Sequence, residues 1–321
     1  MALNVKVRAV VVTWNGAHLL PRCLNSLLAQ NLPPGALEIL VVDNASSDNT
    51  AMLLANDYPQ VQVLSLPENR GFAGGMAAGT ADLLVETPDE PKFVALLNND
   101  AQFEPDALSQ MIAAMDAAET KRERIGAVTA LVLLDQAEPR TDNAVVQSTG
   151  NILTRSGAAA DRDFGTLFSA LTPQREVFGF NGGAALIRTT ALRAAGGFDA
   201  DLFLYYEDTD LSWKMRKLGW SIIFEPRARA WHQHMASTGG AENPVFRFYN
   251  TRNSVVVVRR HAGWWAAAKS FSRQLLGTIL RTLRAPLAVT RTEPWPVTRA
   301  RWRGLLAATI CRRVNVARPS R

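Results

Sequence analysis

The chain has 321 residues, 47% of them hydrophobic, enough to bury a large core, which excludes a disordered chain. Its two cysteines, Cys23 and Cys311, give neither a disulfide framework nor a CxxC metal spacing, so a reducing cytoplasm is expected. The net charge of +6 is uneven: residues 259–321 carry 14 Lys and Arg against one acid, Glu293, on a body with an acidic excess, and such a tail suits an anionic partner, lipid or nucleic acid.

Met1 to Val7 lead straight into the apolar Ala9-Val10-Val11-Val12, without a signal peptide. No uncharged apolar run nears the eighteen or so residues that a membrane span needs. The chain is therefore expected to be neither exported nor integral. Arg8–Thr13, Leu37–Val42, Val61–Leu66 and Phe93–Leu97 read as strands with helices between them, the signature of a parallel sheet. The unbroken apolar runs Ala9–Val12, Ile39–Val42 and Val94–Leu97 predict strands covered on both faces. Ligands of such sheets sit at the carboxyl ends of the strands. Each of those ends is polar here: Thr13-Trp14-Asn15-Gly16, Asp43-Asn44-Ala45-Ser46-Ser47-Asp48, Glu68-Asn69-Arg70-Gly71 and Asn98-Asn99-Asp100.

From Ile125 to Arg188 the pattern is mixed and sheet-like, followed by a helical Thr189–Ala195, a Gly196-Gly197 break and an acidic helix start near Glu207. Further on, Trp264, Ala268, Phe271, Leu275, Ile279 and Leu283 recur at helical spacing, with Lys269, Arg273 and Arg284 opposite. This basic amphipathic helix either rests at a lipid headgroup boundary or packs its stripe onto the body.

The chemistry-bearing residues allow more than one reading by themselves. Asp100 places a carboxylate beside two amides at a sheet edge, which suits a hard, oxygen-loving cation; the same run suits a turn capped before Pro105. Asp43 fits a ligand contact or an Asx turn, and Asp48 is chiefly a helix cap. Acids at 207, 208 and 210 complement the positive end of a helix, and their crowding shifts one another's proton affinity.

In this order the four polar loops resemble the family-two glycosyltransferases, in particular their bacterial rhamnosyltransferase-like branch. The resemblance continues through Gly196-Gly197-Phe198-Asp199, Phe203-Leu204-Tyr205-Tyr206-Glu207-Asp208-Thr209-Asp210-Leu211, Arg216-Lys217-Leu218-Gly219-Trp220, Pro226-Arg227-Ala228-Arg229-Ala230-Trp231-His232 and Tyr249-Asn250-Thr251-Arg252-Asn253, covering about residues 8–260. It implies an α/β fold of GT-A type, a Rossmann-like mixed sheet flanked by helices, with the basic amphipathic helical tail appended. The implied layout is a transferase domain over residues 1–258, with a nucleotide-sugar half (1–115) and an acceptor half (116–258), followed by the tail at 259–321.

The implied activity is inverting transfer of one sugar from a nucleotide diphosphate to a saccharide or lipid-linked saccharide in cell-envelope polysaccharide synthesis. Rhamnose from deoxythymidine-diphosphate rhamnose is the expected donor. By the resemblance, Thr13, Asn15, Asp43, Asn69, Arg70, Gly71 and Asn99 line the nucleotide-sugar site. Asp100 and His232, with His234 as rival, hold Mn2+ or Mg2+. Asp208 is the general base, with Glu207 its acidic neighbour. Asn98 stands where many relatives have the first Asp of a DxD triplet, and Met76 where they often have Asn. The tail adds an anionic membrane surface at the inner face of the cytoplasmic membrane as expected partner, in preference to nucleic acid; nothing specifies an oligomeric state.

Rival readings lack their motifs. No GxGxxG follows the first strand, as a dinucleotide-dependent oxidoreductase requires. Nor is there a Gly-rich loop with a basic residue there, as in a nucleotidyltransferase, or the Gln-x-x-Arg-Trp block of a processive synthase. A non-catalytic surface-binding protein with a degenerate transferase domain is disfavoured because Asp43, Asp100, Asp208 and His232 are all retained.

Overall fold

The computed structural model describes residues 6–135, 143–154, 158–233, 243–284 and 293–311. By its internal contacts the chain divides into two units, Met1–Ile152 with Asp161–Asp201 and Glu207–His234, and Leu153–Ala160 with Leu202–Tyr206 and Met235–Arg321.

The first unit opens with alternating elements: β1 (Val7–Thr13), α1 (Leu20–Leu28), β2 (Leu37–Asp43), α2 (Thr50–Asp57), β3 (Gln62–Ser65), α3 (Gly71–Gly79) and β4 (Phe93–Leu97). Then come β5 (Ala101–Phe103), α4 (Ala107–Thr120), β6 (Ile125–Leu134), β7 (Val146–Ser148), β8 (Asn151–Leu153), β9 (Ala159–Asp161), β10 (Glu176–Val177), β11 (Ala184–Arg188), α5 (Thr189–Ala194), α6 (Glu207–Lys217) and β12 (Ser221–His232). The main sheet runs β10-β12-β6-β11-β4-β1-β2-β3, with β5 on β12 and β7 on β6. The expected strands β1 to β4 are present, and β1, β2, β3 and β4 are mutually parallel where they pair. Beyond β4 the sheet turns mixed, since β11 is antiparallel to both β4 and β6.

Side-chain alternation along the strands explains the two-sided cover. Ala9 and Val11 join Leu20, Leu24 and Leu27 of α1 and Leu108, Met111 and Met115 of α4 on one face. Val10 and Val12 meet Met76 of α3, Leu192 of α5 and Leu211 and Met215 of α6 on the other. Met76 is wholly buried in this second layer, so the place where relatives often carry Asn is filled here by core packing. Helix α3 lies close on β1: a Cβ on Gly75 would stand 2.5 Å from Val12 Cγ1. Any larger residue there would push the helix, and with it Arg70 and Gly71, off the sheet.

The second unit is dominated by α7 (Pro244–Arg284) and α8 (Trp295–Ile310). Helix α7 breaks at Gly263, whose φ of 82° and ψ of −179° no helix accommodates and L side chains rarely adopt. Gln274 Nε2 donates to Ser254 Oγ across the break at 3.2 Å, so the arms 244–262 and 264–284 fold back on each other. Glu293 clips the bundle together: Arg301 forks onto its carboxylate at 2.9 Å, with Arg247 at 3.6 Å and Arg281 at 3.9 Å. Burial would raise the Glu293 carboxyl, but Arg301, Arg247 and a hydrogen bond from Thr298 hold it below its ordinary value.

The expected amphipathic helix is there, but its packed face is not the expected stripe. Ala267, Ser270 and Thr278 are buried and Phe271 packs on Val255, Val256 and Ala308, whereas Trp264, Ala268, Ile279 and Leu283 are exposed. The second arm is apolar around so much of its circumference that spacing alone does not select the face its neighbours cover. Among the described residues, no helix is long and apolar enough to cross a membrane.

This unit also contains a backbone oddity. Phe203, Tyr205 and Tyr206 all have positive φ (64°, 66° and 73°), an uncommon conformation for bulky residues. Buried Asn253 on the first arm holds them there: its Nδ2 lies 2.8–2.9 Å from the carbonyl oxygens of Leu202, Leu204 and Tyr205. Phe203 stacks on Tyr249 and Tyr205 meets Phe246 edge-on. Asn253→Leu should therefore destabilise the protein by about 3 kcal/mol. Denaturant unfolding checks this, and a loss under about 0.5 kcal/mol, the usual size for an inconsequential surface change, would show that the loop supports itself.

Candidate active site

The order β3-β2-β1-β4 puts a switch point between β1 and β4, where a crevice opens at the carboxyl ends of the strands. The polar loops there are laced together. Asn15, at φ 51°, donates its N–H to Ser46 Oγ (2.9 Å) and accepts from Ser47 N (2.7 Å). Asn99 Nδ2 donates to buried Thr13 Oγ1 at 3.1 Å, joining the ends of β4 and β1. Asn44 donates to Asn69 Oδ1 and to Gly71 O, and accepts from Arg70 N. Thr13, Asn15, Asn69, Gly71 and Asn99 are thus all tied into these loops.

Buried Asp43 accepts from Ser46 N at 3.0 Å, three residues on, so its carboxylate braces this loop with a bond one residue longer than an Asx turn. Asp48 accepts from Thr50 N and Oγ1 and from Ala17 N; it stands one residue before the cap position of α2, which Asn49 fills without a side-chain bond, so it is not the helix cap the sequence suggested. The Arg70 side chain is exposed and has no acidic partner among the described residues.

A second cluster lies past β4 and at the end of β12, which β5 pairs together through Ala101 and His232. His232 Nε2 is 2.8 Å from Asp100 Oδ1, while its Nδ1 is 2.7 Å from Gln147 Oε1 on β7; Asn98 Nδ2 stands 3.5 Å from the same Nε2. Two ligands in neighbouring octahedral positions, each about 2.1 Å from a small hard cation, lie roughly 3 Å apart. The Asp100–His232 separation fits that with little movement. Gln147, behind the ring, fixes its orientation as metal-bound imidazoles commonly require. Among the described residues no group of three or more His, Cys, Asp or Glu forms a metal cage. The pair therefore suits a cation that takes its remaining ligands from phosphate oxygens and water. His234 lies outside the described residues.

The third cluster surrounds Asp208 in the first turn of α6. Its Oδ2 accepts from Asn151 Nδ2 (2.8 Å) and Gly182 N (3.1 Å), and its Oδ1 accepts from Thr209 N (2.6 Å). Burial pushes its carboxyl above the ordinary Asp value, outweighing those hydrogen bonds. A carboxylate so placed is a stronger proton acceptor than one in water. Asp210 is fully buried, with Lys214 Nζ at 2.8 Å, so its charge is already matched. Glu207 is buried at the helix start.

One turn connects the last two clusters. Asn98 N donates to Gly183 O (3.0 Å), Asn181 Oδ1 accepts from Gly183 N (2.8 Å), and Gly182 N reaches Asp208. Gln147, Asn151 and the Asn181-Gly182-Gly183 turn were not singled out from sequence. The first two sit on three-residue strands without periodicity, and the doubled glycine is the one signal that could have drawn notice.

This sheet, with its carboxylate-bearing loop after β4, is of the GT-A fold. The fold is shared with a solved structure of GalNAc-T7 with UDP, GalNAc and Mn2+ (TM-score 0.61, 15% identity), covering 94% of this chain and about half, 54%, of that one. It is shared too with mannosyltransferase PcManGT from Pyrobaculum calidifontis in complex with GDP-Man and Mn2+ (TM-score 0.51, 19% identity, 95% and 86% covered). Residues 9–125 match the family described as Glycosyl transferase family 2. The chain is 30% identical over 276 residues, 80% of itself and 86% of the relative, to N-acetylglucosaminyl-diphospho-decaprenol L-rhamnosyltransferase of Mycobacterium tuberculosis. It is 25% identical, over 72% of itself and 50% of the relative, to poly-beta-1,6-N-acetyl-D-glucosamine synthase of Staphylococcus epidermidis. The chain belongs to glycosyltransferase family 2, within which it is rhamnosyltransferase-like.

Proposed function

We propose that this glycosyltransferase is metal-dependent and inverting, and moves rhamnose from deoxythymidine-diphosphate rhamnose onto a lipid-linked saccharide of cell-envelope polysaccharide. The observation that carries the mechanism is the Asn181-Gly182-Gly183 turn, which holds the raised-pKa Asp208 in fixed relation to the Asp100–His232 pair. The activity named for the M. tuberculosis relative supports the sugar and the kind of acceptor.

The laced loops of Thr13, Asn15, Asp43 and Asn99 receive the nucleoside, and those of Asn69, Arg70 and Gly71 face the sugar diphosphate, with Arg70 as an exposed cation. Asp100 and His232 would hold Mn2+ or Mg2+, which would supply positive charge to neutralise the departing nucleotide diphosphate. Asp208 accepts the acceptor hydroxyl's proton as its oxygen attacks the anomeric carbon from the side opposite the leaving group. Glu207 lies beside Asp208 in the chain and adds negative charge at the helix start. A single displacement of this kind inverts the anomeric centre.

Incubation of the purified protein and Mn2+ with a lipid-linked N-acetylglucosaminyl acceptor tests the reading. Rhamnosylated lipid and free deoxythymidine diphosphate are expected from deoxythymidine-diphosphate rhamnose. Transfer from UDP-N-acetylglucosamine in its place would assign a different donor, and full transfer in excess chelator would remove the metal.

A further inference from the structure

We propose that the outward face of the helical bundle, formed by the second arm of α7 and by α8, docks reversibly on an anionic lipid bilayer, with Trp264 and Trp265 at the hairpin tip entering the headgroup boundary. This goes beyond the catalytic reading and does not depend on it. It departs from the stripe drawn from sequence, because Phe271 of that stripe is packed inward.

Two parallel patterns make up the face. On the second arm, Trp265, Lys269, Ser272, Leu276, Leu280 and Leu283 follow one another at steps of three and four and are all exposed. On α8, Trp295, Arg299, Trp302, Leu306 and Ile310 do the same. The opposite sides, Ala267, Ser270 and Thr278 on the arm and Val297, Ala300, Leu305 and Ala308 on α8, are buried. Trp302 Nε1 donates to Thr282 Oγ1 at 3.1 Å, so the stripes adjoin. At the tip, Gly263 turns the chain and leaves Trp264 and Trp265 at 75% and 87% exposure, with the Arg259 guanidinium 5.3 Å from the Trp264 ring.

Charge selects the occupant. The single acid of residues 259–321, Glu293, is enclosed by Arg301, Arg247 and Arg281 inside the bundle. The exposed face therefore presents Lys269, Arg299 and Arg303 among Trp and Leu, and residues 259–321 contain no acid besides Glu293. A second copy of this face would set cation against cation, whereas lipid phosphates complement it and indoles favour the interface. Among the described residues no helix is long and apolar enough to span, and the docking proposed is at the surface.

The test is co-sedimentation of the full chain with vesicles of phosphatidylcholine alone or mixed equally with phosphatidylglycerol. Binding to the mixed vesicles should exceed that to phosphatidylcholine by about tenfold or more and should fall in high salt. The double variant Trp264→Ala, Trp265→Ala and the double variant Lys269→Glu, Arg299→Glu should each lower it about tenfold while leaving the unfolding midpoint unchanged. All four side chains are exposed, so neither change opens the core. Equal binding to both vesicle types, or unchanged binding by both variants, would overturn the proposal. So would a lipid-free dimer that the tryptophan variant converts to monomer, which would assign the face to a second copy.

Discussion

Asp208→Asn should bind nucleotide diphosphate and Mn2+ as the wild type does and lose turnover by on the order of 10² or more, the usual worth of a positioned general base. The substitution nearly keeps the side-chain shape but offers no site for the proton. The pH profile gives a second handle. Burial raises the Asp208 proton affinity in the folded protein, so the reactive carboxylate form is present at high pH and is lost as pH falls through that raised value. The acid limb of the wild-type rate should therefore lie above the ordinary Asp value of about 4, and Asp208→Asn should lack it. Isothermal calorimetry and a product assay across pH decide the matter. Near wild-type turnover would move the base to Glu207, since Asp210 is already paired with Lys214; lost nucleotide binding would move Asp208 into the donor site.

Asp100→Ala should fail earlier in the cycle. Its carboxylate is one of the two protein groups proposed to hold the cation, and His232 alone supplies a single nitrogen. Metal-dependent nucleotide binding should disappear while weak metal-independent binding through the nucleoside loops survives, and turnover should drop by about 10²- to 10³-fold, as when one preorganised electrostatic contact is removed. Removal also takes the 2.8 Å Asp100 contact from His232, at about 1 kcal/mol in stability. Calorimetric titration with and without Mn2+ must therefore be read beside the unfolding midpoint. Nucleotide affinity that kept its full Mn2+ response in folded Asp100→Ala would place the metal elsewhere.

The parallel half of the sheet was legible because β1, β2 and β4 carry unbroken apolar runs ended by polar loops, and Phe93–Leu97 appears with the bounds read from sequence. The acidic start of α6 and the Gly196-Gly197 break were legible for equally local reasons: dipole complementarity, and two consecutive positive φ angles of 75° and 73°. What escaped depended on distant partners. Gln147 and Asn151 acquire meaning only when β7 and β8 bring them to His232 and Asp208, 85 and 57 residues away. The contact division falls after His234, where the sequence suggested 258, because residues 244–258 pack with the arm that folds back at Gly263. Asn253 was quoted only within a motif, and its grip on a left-handed aromatic loop some 50 residues upstream leaves no periodic trace.

The Asn181-Gly182-Gly183 turn bears on how this enzyme is re-engineered. Its backbone touches Asn98 on one side and Asp208 on the other, and a Cβ on Gly182 or Gly183 would come within 3.3 Å of Asp208 or 3.2 Å of Asn98. It links the two arms, so on the roles proposed for Asp100, His232 and Asp208 a displacement at one arm reaches the other, and substitutions that retune the donor and acceptor pockets are expected not to add. Chimeras that exchange acceptor loops between relatives will keep their rate only when residues 181–183 travel with the segment whose Asp they steady.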